Sequence, residues 1–443
     1  MPVETVLLFI LGVVIFIVGL VLSVALHELG HLTFAKLFGV KVSQYMVGFG
    51  RTLWSIKRGG TEYGIKPILL GGYISMAGMF PPNPNRPISD KPQSALFSAL
   101  VQDAREVSAN TIGADDTHAF YRAKPWKRVI IMLAGPFMNL VIGVVIAAIL
   151  VTSVGAPTAS IASVASCVPA SASATTTTKC TSSDAASPAL TAGLKAGDVV
   201  VSIGSVSSPS PQLFQSILQH SAGKSVDLVV KRAGKLVAIT LTPVSVSRDA
   251  LDSNGTPESD TSGKPIVEKL GAIGVGLGQT FVKQPITATF DTVGIEINGI
   301  FSVLGRFPAG LVGVWNAVFN GDPRSANSPV SVVGVGRAIG TIASAQDAPV
   351  TTRVYGILSL LGSLNISLFV FNLIPLLPLD GGHVIGAIWE SLRRRFARLL
   401  RRRDPGPVDL ARFLPLTIVV VGVLGVISAL LIVADLVNPV AIG

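Results

Sequence analysis

The sequence predicts a polytopic α-helical membrane protein with about four transmembrane helices, a membrane-associated β-hairpin and an α+β domain outside the cytoplasm. Three observations carry that expectation. Residues 6–25 run without a single charge, and about 20 apolar residues suffice to cross a bilayer core. The chain is 49% hydrophobic and only 14% charged, where soluble domains carry about 25% charged residues. Its net charge of +10 gathers in short segments beside the apolar runs. Such placement reads as membrane orientation, and no nucleic-acid partner is expected.

The first span takes residues 1–38 and is too long, with no basic start or small-residue cleavage site, to be a removable signal peptide. A loop follows over 39–128. Within it, Gly64 to Met79 alternates apolar and small residues with paired glycines, as a β-hairpin dipping into the membrane would, and Pro81 to Ala119 is long and Pro-rich. Residues 129–154 form the second span and 155–245 a globular module. Residues 246–353 divide into a polar linker, Arg248 to Lys264, and Gln284 to Asn320, which suits amphipathic helices on the membrane surface. The role of Ser328 to Gly340 is not readable. Residues 354–392 hold the third span, 393–413 a basic loop and 414–443 the fourth span. Lys41, Arg51, Lys57 and Arg58 begin the basic series of the first loop, and Arg393 to Arg395, Arg398, Arg401 to Arg403 and Arg412 crowd the last, while both termini lack Lys and Arg. That asymmetry puts both loops in the cytosol and both termini outside.

Chemistry enters with His27-Glu28-Leu29-Gly30-His31 near the end of the first span. Imidazoles at i and i+4 share one helical face and can grip one metal ion, with Glu28 beside them as general base. Ionisable groups entering a span are costly and so point to function. At about 1.5 Å per residue, His27 lies roughly 30 Å beyond Val6, near the cytosolic end of the hydrocarbon layer. Two histidines make an incomplete site. At matching depth the third span ends in Asn372-Leu-Ile-Pro-Leu-Leu-Pro-Leu-Asp380-Gly381-Gly382-His383. Asp380 would complete an N, N, O set that suits zinc and leaves a fourth position open. Pro375 and Pro378 would break the helix, and Gly381 and Gly382 would permit a sharp turn. His383 is an alternative ligand; His118 and His220 fall in segments expected to be solvated.

HELGH in a first span together with NLIPLLPLDGG in a late one resembles the site-2 protease family of intramembrane zinc metalloproteases, most nearly its bacterial branch, which cleaves anti-sigma factors. GFG at Gly48 to Gly50, GGYISMAGM at Gly71 to Met79, FYRAKPWKR at Phe120 to Arg128 and AGPFMN at Ala134 to Asn139 extend the resemblance over most of the chain. It implies Zn2+ held by His27, His31 and Asp380 rather than His383, with Glu28 catalytic. It implies that Asn372 binds the substrate backbone or the developing oxyanion; otherwise Asn372 bonds its own broken helix. It also implies a re-entrant β element, whose edge could hold an unwound substrate by strand addition. Asn139 reads better as a helix–helix tether than as a catalytic group.

In the outer module, Ser187 to Asp198 leads into VVVSIGSV, then PQLFQSILQH, SVDLVVKR and KLVAITLTP. This resembles a single PDZ domain, whose groove takes an extended peptide or a carboxylate, or else serves here as an occluded cap. Cys167 and Cys180 are the only cysteines. On an oxidising side they are expected to form a disulfide. The function implied is cleavage of single-pass membrane proteins such as anti-sigma factors in the cell membrane. General clearance of signal-peptide remnants and a non-catalytic zinc-binding scaffold are the alternatives, and a scaffold would be expected to have lost Glu28.

Overall fold

The computed structural model describes residues 2–81, 108, 117–169, 180, 184–249, 267–322, 324 and 328–440. Most of the Pro-rich stretch and most of the expected linker lie outside the described residues. The chain divides into two compact units, 1–147 with 290–322 and 329–443, and 148–289 with 323–328.

In the first unit the uncharged opening run becomes α1, Val3–Leu37. Three further helices pack on it: α2 (Pro125–Ile149), α6 (Val332–Ser344) and α7 (Val350–Asn372). Small residues set the approach distances. A methyl group on Gly12 of α1 would lie 2.8 Å from the Ile339 carbonyl oxygen of α6, and one on Gly340 would lie 2.7 Å from the Phe9 ring. Without apolar burial to draw helices together in lipid, such close backbone packing is what holds them. This gives Ser328 to Gly340 its job, with Ser331 capping α6 by accepting from the Val333 and Gly334 amides.

Five helices among the described residues are long and apolar enough to cross a membrane: α1, the α2 segment through Val154, α5 (Ala288–Phe319), α7 and α9 (Leu414–Val437). The sequence suggests four. The difference is α5, a single helix of 32 residues where surface helices are expected. Its charge at Glu296 is half-buried and takes a hydrogen bond from Ser363 of α7. Asp291, Glu296 and Arg306 inside an otherwise apolar helix lower its contrast in sequence without denying it the length to span.

The loop after α1 folds into four strands, β1 (Val42–Phe49), β2 (Trp54–Arg58), β3 (Thr61–Ile65) and β4 (Ile68–Met76), in the order β2-β3-β1-β4. β2 and β3 join through Gly59 and Gly60, both at positive φ, the signature of a tight hairpin turn. The hairpin expected over Gly64 to Met79 is replaced by this sheet. β1 inserts between β3 and β4, parallel to the first and antiparallel to the second. The reason is a non-local pairing, Tyr45 opposite Ile74, that outcompetes the neighbouring one. β4 is left as an edge strand lying against α1.

The second unit is built on the strands β5 (Ala156–Val164), β6 (Cys167–Val168), β7 (Ala185–Ala186), β8 (Val199–Ile203), β9 (Val206–Ser207), β10 (Val226–Arg232), β11 (Lys235–Leu241), β12 (Val244–Asp249), β13 (Val267–Ala272) and β14 (Val275–Val282). Its main sheet runs β11-β10-β8-β5-β14, with β9 on β8. Two helices, α3 (Pro188–Thr191) and α4 (Pro211–Gln219), start at serine caps, Ser187 and Ser210. Phe214, Ile161, Ile203 and Leu228 form the buried centre. The module does not stop near residue 245: β14 pairs with β5 from Val282 opposite Ala156 to Val275 opposite Val164. Cys167 and Cys180 are joined by a disulfide.

Candidate metal centre

α1 delivers His27 and His31 to one face, one turn apart, and α8 (Asp380–Leu399) begins on the third member of the cluster. The segment expected as the third span is therefore two helices, α7 and α8, separated by the Pro-containing turn, and of the two only α7 is long and apolar enough to cross a membrane. A carboxylate at a helix start sits at the positive end of the backbone dipoles. Gly381 and Gly382 act differently from the expected sharp turn. Neither has a positive φ; both lie in the first turn of α8, and the turn folds over them. A methyl on Gly381 would collide with the Ile374 carbonyl, and one on Gly382 would lie 2.7 Å from the Leu377 nitrogen.

Three side chains converge. His27 Nε2 lies 3.4 Å from Asp380 Oδ2, His31 Nε2 lies 3.4 Å from Asp380 Oδ1, and the two Nε2 atoms are 3.2 Å apart. Ligands about 2.0 Å from a tetrahedral zinc stand about 3.3 Å from one another. The three side chains thus fit zinc in both donor type and spacing. They are the only such group of three or more His, Cys, Asp or Glu among the described residues.

The surrounding hydrogen bonds aim the rings. His31 Nδ1–H donates to the Ile131 carbonyl at 2.7 Å, so its Nε2 lone pair faces the cluster. His27 Nδ1 is 3.2 Å from the Asn139 amide. With Nδ2 on the ring, buried Oδ1 has no partner. Turned end for end, the amide accepts the Nδ1 proton through Oδ1, which also frees His27 Nε2 for metal; amide orientation is assigned from such networks. Both partners come from α2. Its Gly135 has the same purpose, since a methyl there would collide with His31 Nε2.

Glu28 is half-buried and accepts a hydrogen bond from the Ile74 backbone of β4. Gly72, two residues earlier, lets the strand approach: a methyl there would lie 3.1 Å from Glu28 Cγ and 2.9 Å from the Val24 side chain. The edge strand and the candidate base are direct neighbours. Asn372 closes α7 and is half-buried, outside the three-residue cluster. His383 is one turn beyond Asp380 and also outside it. His118 and His220 are exposed.

Sequence reasoning missed what braces α8. Glu390, fully buried, pairs with Arg128 Nη2 at 2.5 Å and with Arg394 Nη2 at 3.0 Å, and accepts from the Val408 amide at 2.9 Å. Arg128 stands at the start of α2, so this ion pair ties the helix bearing Asn139 to the helix bearing Asp380. Its only sequence signal is an acid amid arginines.

The family model for peptidase family M50 matches residues 15–401, a stretch that includes the whole cluster. The chain belongs to peptidase family M50. It is therefore a zinc metalloprotease of the site-2 type, and Zn2+ is its metal. Relatives agree over nearly the full length. Zinc metalloprotease Rip1 of Mycobacterium tuberculosis is 32% identical over 444 residues, covering 98% of this chain and 99% of its own. Rip1 of Mycolicibacterium smegmatis is 31% identical over 449 residues, covering 98% and 100%. Metalloprotease MmpA of Caulobacter vibrioides is 27% identical over 403 residues, covering 88% and 86%. This M50 protease is a membrane protein with several long apolar helices and a β domain.

Proposed function

We propose that this M50 protease cuts the transmembrane segments of single-pass membrane proteins, anti-sigma factors among them, as a step of regulated intramembrane proteolysis. The observation that carries the reading is the adjacency of Glu28 to the edge strand β4, beside the metal cluster. A transmembrane helix has its carbonyls already hydrogen-bonded, so it must be unwound before it is cut. An edge strand offers unpaired backbone groups that hold an extended chain.

In this reading His27, His31 and Asp380 hold the metal. Bound zinc supplies Lewis acidity, polarising the scissile carbonyl and lowering the pKa of a water to about 7. Glu28 takes the proton of the attacking water and returns it to the leaving amide nitrogen. Asn139 and the Ile131 carbonyl keep the imidazoles aimed, and Asn372 steadies the substrate backbone or its developing oxyanion. The basic loops face the cytosol, which puts the cluster near the cytosolic face and the β domain outside. In this reading that domain is PDZ-like, with the edge strand β14 and α4 bordering a cavity of about 850 Å3. An extended peptide or a terminal carboxylate is its expected ligand.

The test uses full-length protein in lipid with a transmembrane substrate peptide, comparing native protein with Glu28→Gln by mass spectrometry. Native protein should cut within the apolar segment while the variant keeps its zinc and leaves the peptide whole. In cells, fragments that accumulate only with the variant identify the substrates. Single-pass regulators support this reading, and signal-peptide remnants alone would replace it with the clearance role.

A further inference from the structure

α8 has a second face that the protease chemistry does not use. At about 100° per residue, Ile385, Ile388, Trp389, Leu392, Phe396 and Leu399 fall on one stripe, and all six are exposed, Leu399 by 80%. Arg393 and Arg395 flank the stripe on its two sides. Beyond it, Arg395, Arg398, Arg401, Arg402 and Arg403 are exposed and make no ion pair among the described residues. The arginines that are paired, Arg394 with Glu390 and Asp404 and Arg412 with Asp409, engage every acid between Glu390 and Phe413. The start of the stripe opens into an apolar cavity of about 360 Å3, walled by Trp389, Leu392, Leu410 and Phe413 on one side and Pro375 to Leu377 on the other.

We propose that α8 lies in the headgroup plane of the membrane and binds an anionic phospholipid, its phosphate on the unpaired arginines and an acyl chain in this cavity. An apolar stripe bordered by cations is the pattern of an interfacial helix, and several adjacent cations attract an anionic leaflet. A protein partner would have to desolvate five arginines at once, whereas lipid phosphates meet them in water. The occupant has a bearing on the metal site. Pro375 to Leu377, one wall of the cavity, is the turn that folds over the first residues of α8 and so sets Asp380. An acyl chain there packs on the segment that positions a zinc ligand.

The inference takes only the leaflet from the orientation proposed above. Lipid retention is read without turnover, so its failure and failure of the protease reading are separate results. Full-length protein in detergent is loaded with phosphatidylglycerol or phosphatidylcholine carrying brominated chains, then examined by native mass spectrometry and tryptophan fluorescence. Retention of phosphatidylglycerol should exceed that of phosphatidylcholine by about fivefold or more. Changing Arg395, Arg398 and Arg401 together to Gln should reduce the preference below about twofold. Trp389→Phe should remove the largest share of the quenching by brominated phosphatidylglycerol. Equal retention of the two lipids, a preference that survives the triple change, or quenching that does not depend on Trp389 overturns the proposal. Should the triple variant not accumulate, salt decides on the native protein: retention unaltered at about 0.5 M NaCl excludes a headgroup held by arginines. If a transmembrane substrate peptide relieves the quenching while lipid remains bound, the cavity belongs to substrate and the lipid reading fails.

Discussion

Asp380 and Asp198 are both aspartates drawn in from solvent, and they are satisfied in opposite ways. Asp198 lies in the β domain, where Arg232 grips it twice, Nε to Oδ1 at 2.7 Å and Nη2 to Oδ2 at 2.6 Å, and the Lys195 amide adds a third bond at 2.9 Å. Its charge is neutralised by the protein itself. Among the described residues Asp380 meets no guanidinium or ammonium group; its oxygens face two imidazole nitrogens. Neutral imidazoles offer lone pairs, so three side chains aim donors at one place, as a bound metal cation requires. A closed ion pair holds a fold together. An open set of the same size is a site.

The largest expected effect follows from that contrast. Asp380→Ala should abolish stoichiometric zinc, measured by elemental analysis after dialysis, and remove activity, because two imidazoles alone leave the site incomplete. If the variant held a full equivalent of zinc with unchanged affinity, the open-set reading of Asp380 would be wrong. Glu28→Gln sharpens the point from the other side. Zinc content should stay near one equivalent while turnover falls by about 10²–10⁴-fold, the usual worth of a proton-transferring group. Loss of zinc along with turnover would instead make Glu28 a structural member of the set.

Much of this was legible in sequence, and the reasons are local. The i, i+4 spacing fixes His27 and His31 on one face whatever the fold, and a shared depth in the membrane brings Asp380 to them. What was hidden is paired across long separations. Asn139 is visible within AGPFMN, but its bond to His27 spans 112 positions, and the Ile131 carbonyl that orients His31 has no side-chain signature at all. β1 displacing the expected hairpin, and β14 completing a sheet begun by β5, are likewise choices between alternative pairings that alternation alone does not rank. α5 was obscured because a helix that buries one acid against Ser363 looks, in one dimension, like a surface helix.

A smaller effect probes the aim of the ligands. Asn139→Leu keeps the size of the side chain and removes its amide, so His27 loses the partner that selects its tautomer. Zinc affinity by competition with a chelator should weaken by about 10–100-fold, as for other groups that orient metal-bound histidines. Asn139→Asp, which can still accept from Nδ1–H, should recover most of it. A mere spacer between α1 and α2 would show the reverse order, since Leu packs without the cost of burying a charge.

The smallest expected effect belongs to the closed pair and completes the contrast. Burial by itself would raise the Asp198 carboxyl, but hydrogen bonds from Arg232 and the Lys195 amide outweigh it and hold the pKa below the ordinary aspartate value. A carboxyl lowered on folding contributes stability that is fully present above its unfolded value of about 3.9 and is lost as pH falls through the folded one. Asp198→Asn should therefore weaken the β domain by about 2 kcal/mol at neutral pH, the scale of hydrogen bonds to a charged group. The difference from native protein should shrink as pH falls below about 4. Pulse proteolysis of the full-length protein in urea, repeated across that range, reads both numbers. Zinc content should not move, because nothing in the Asp198 network reaches for a metal. A deficit that stayed constant down to acid pH would mean that the asparagine fails for reasons of shape, and that the charge of Asp198 has no part in holding Arg232.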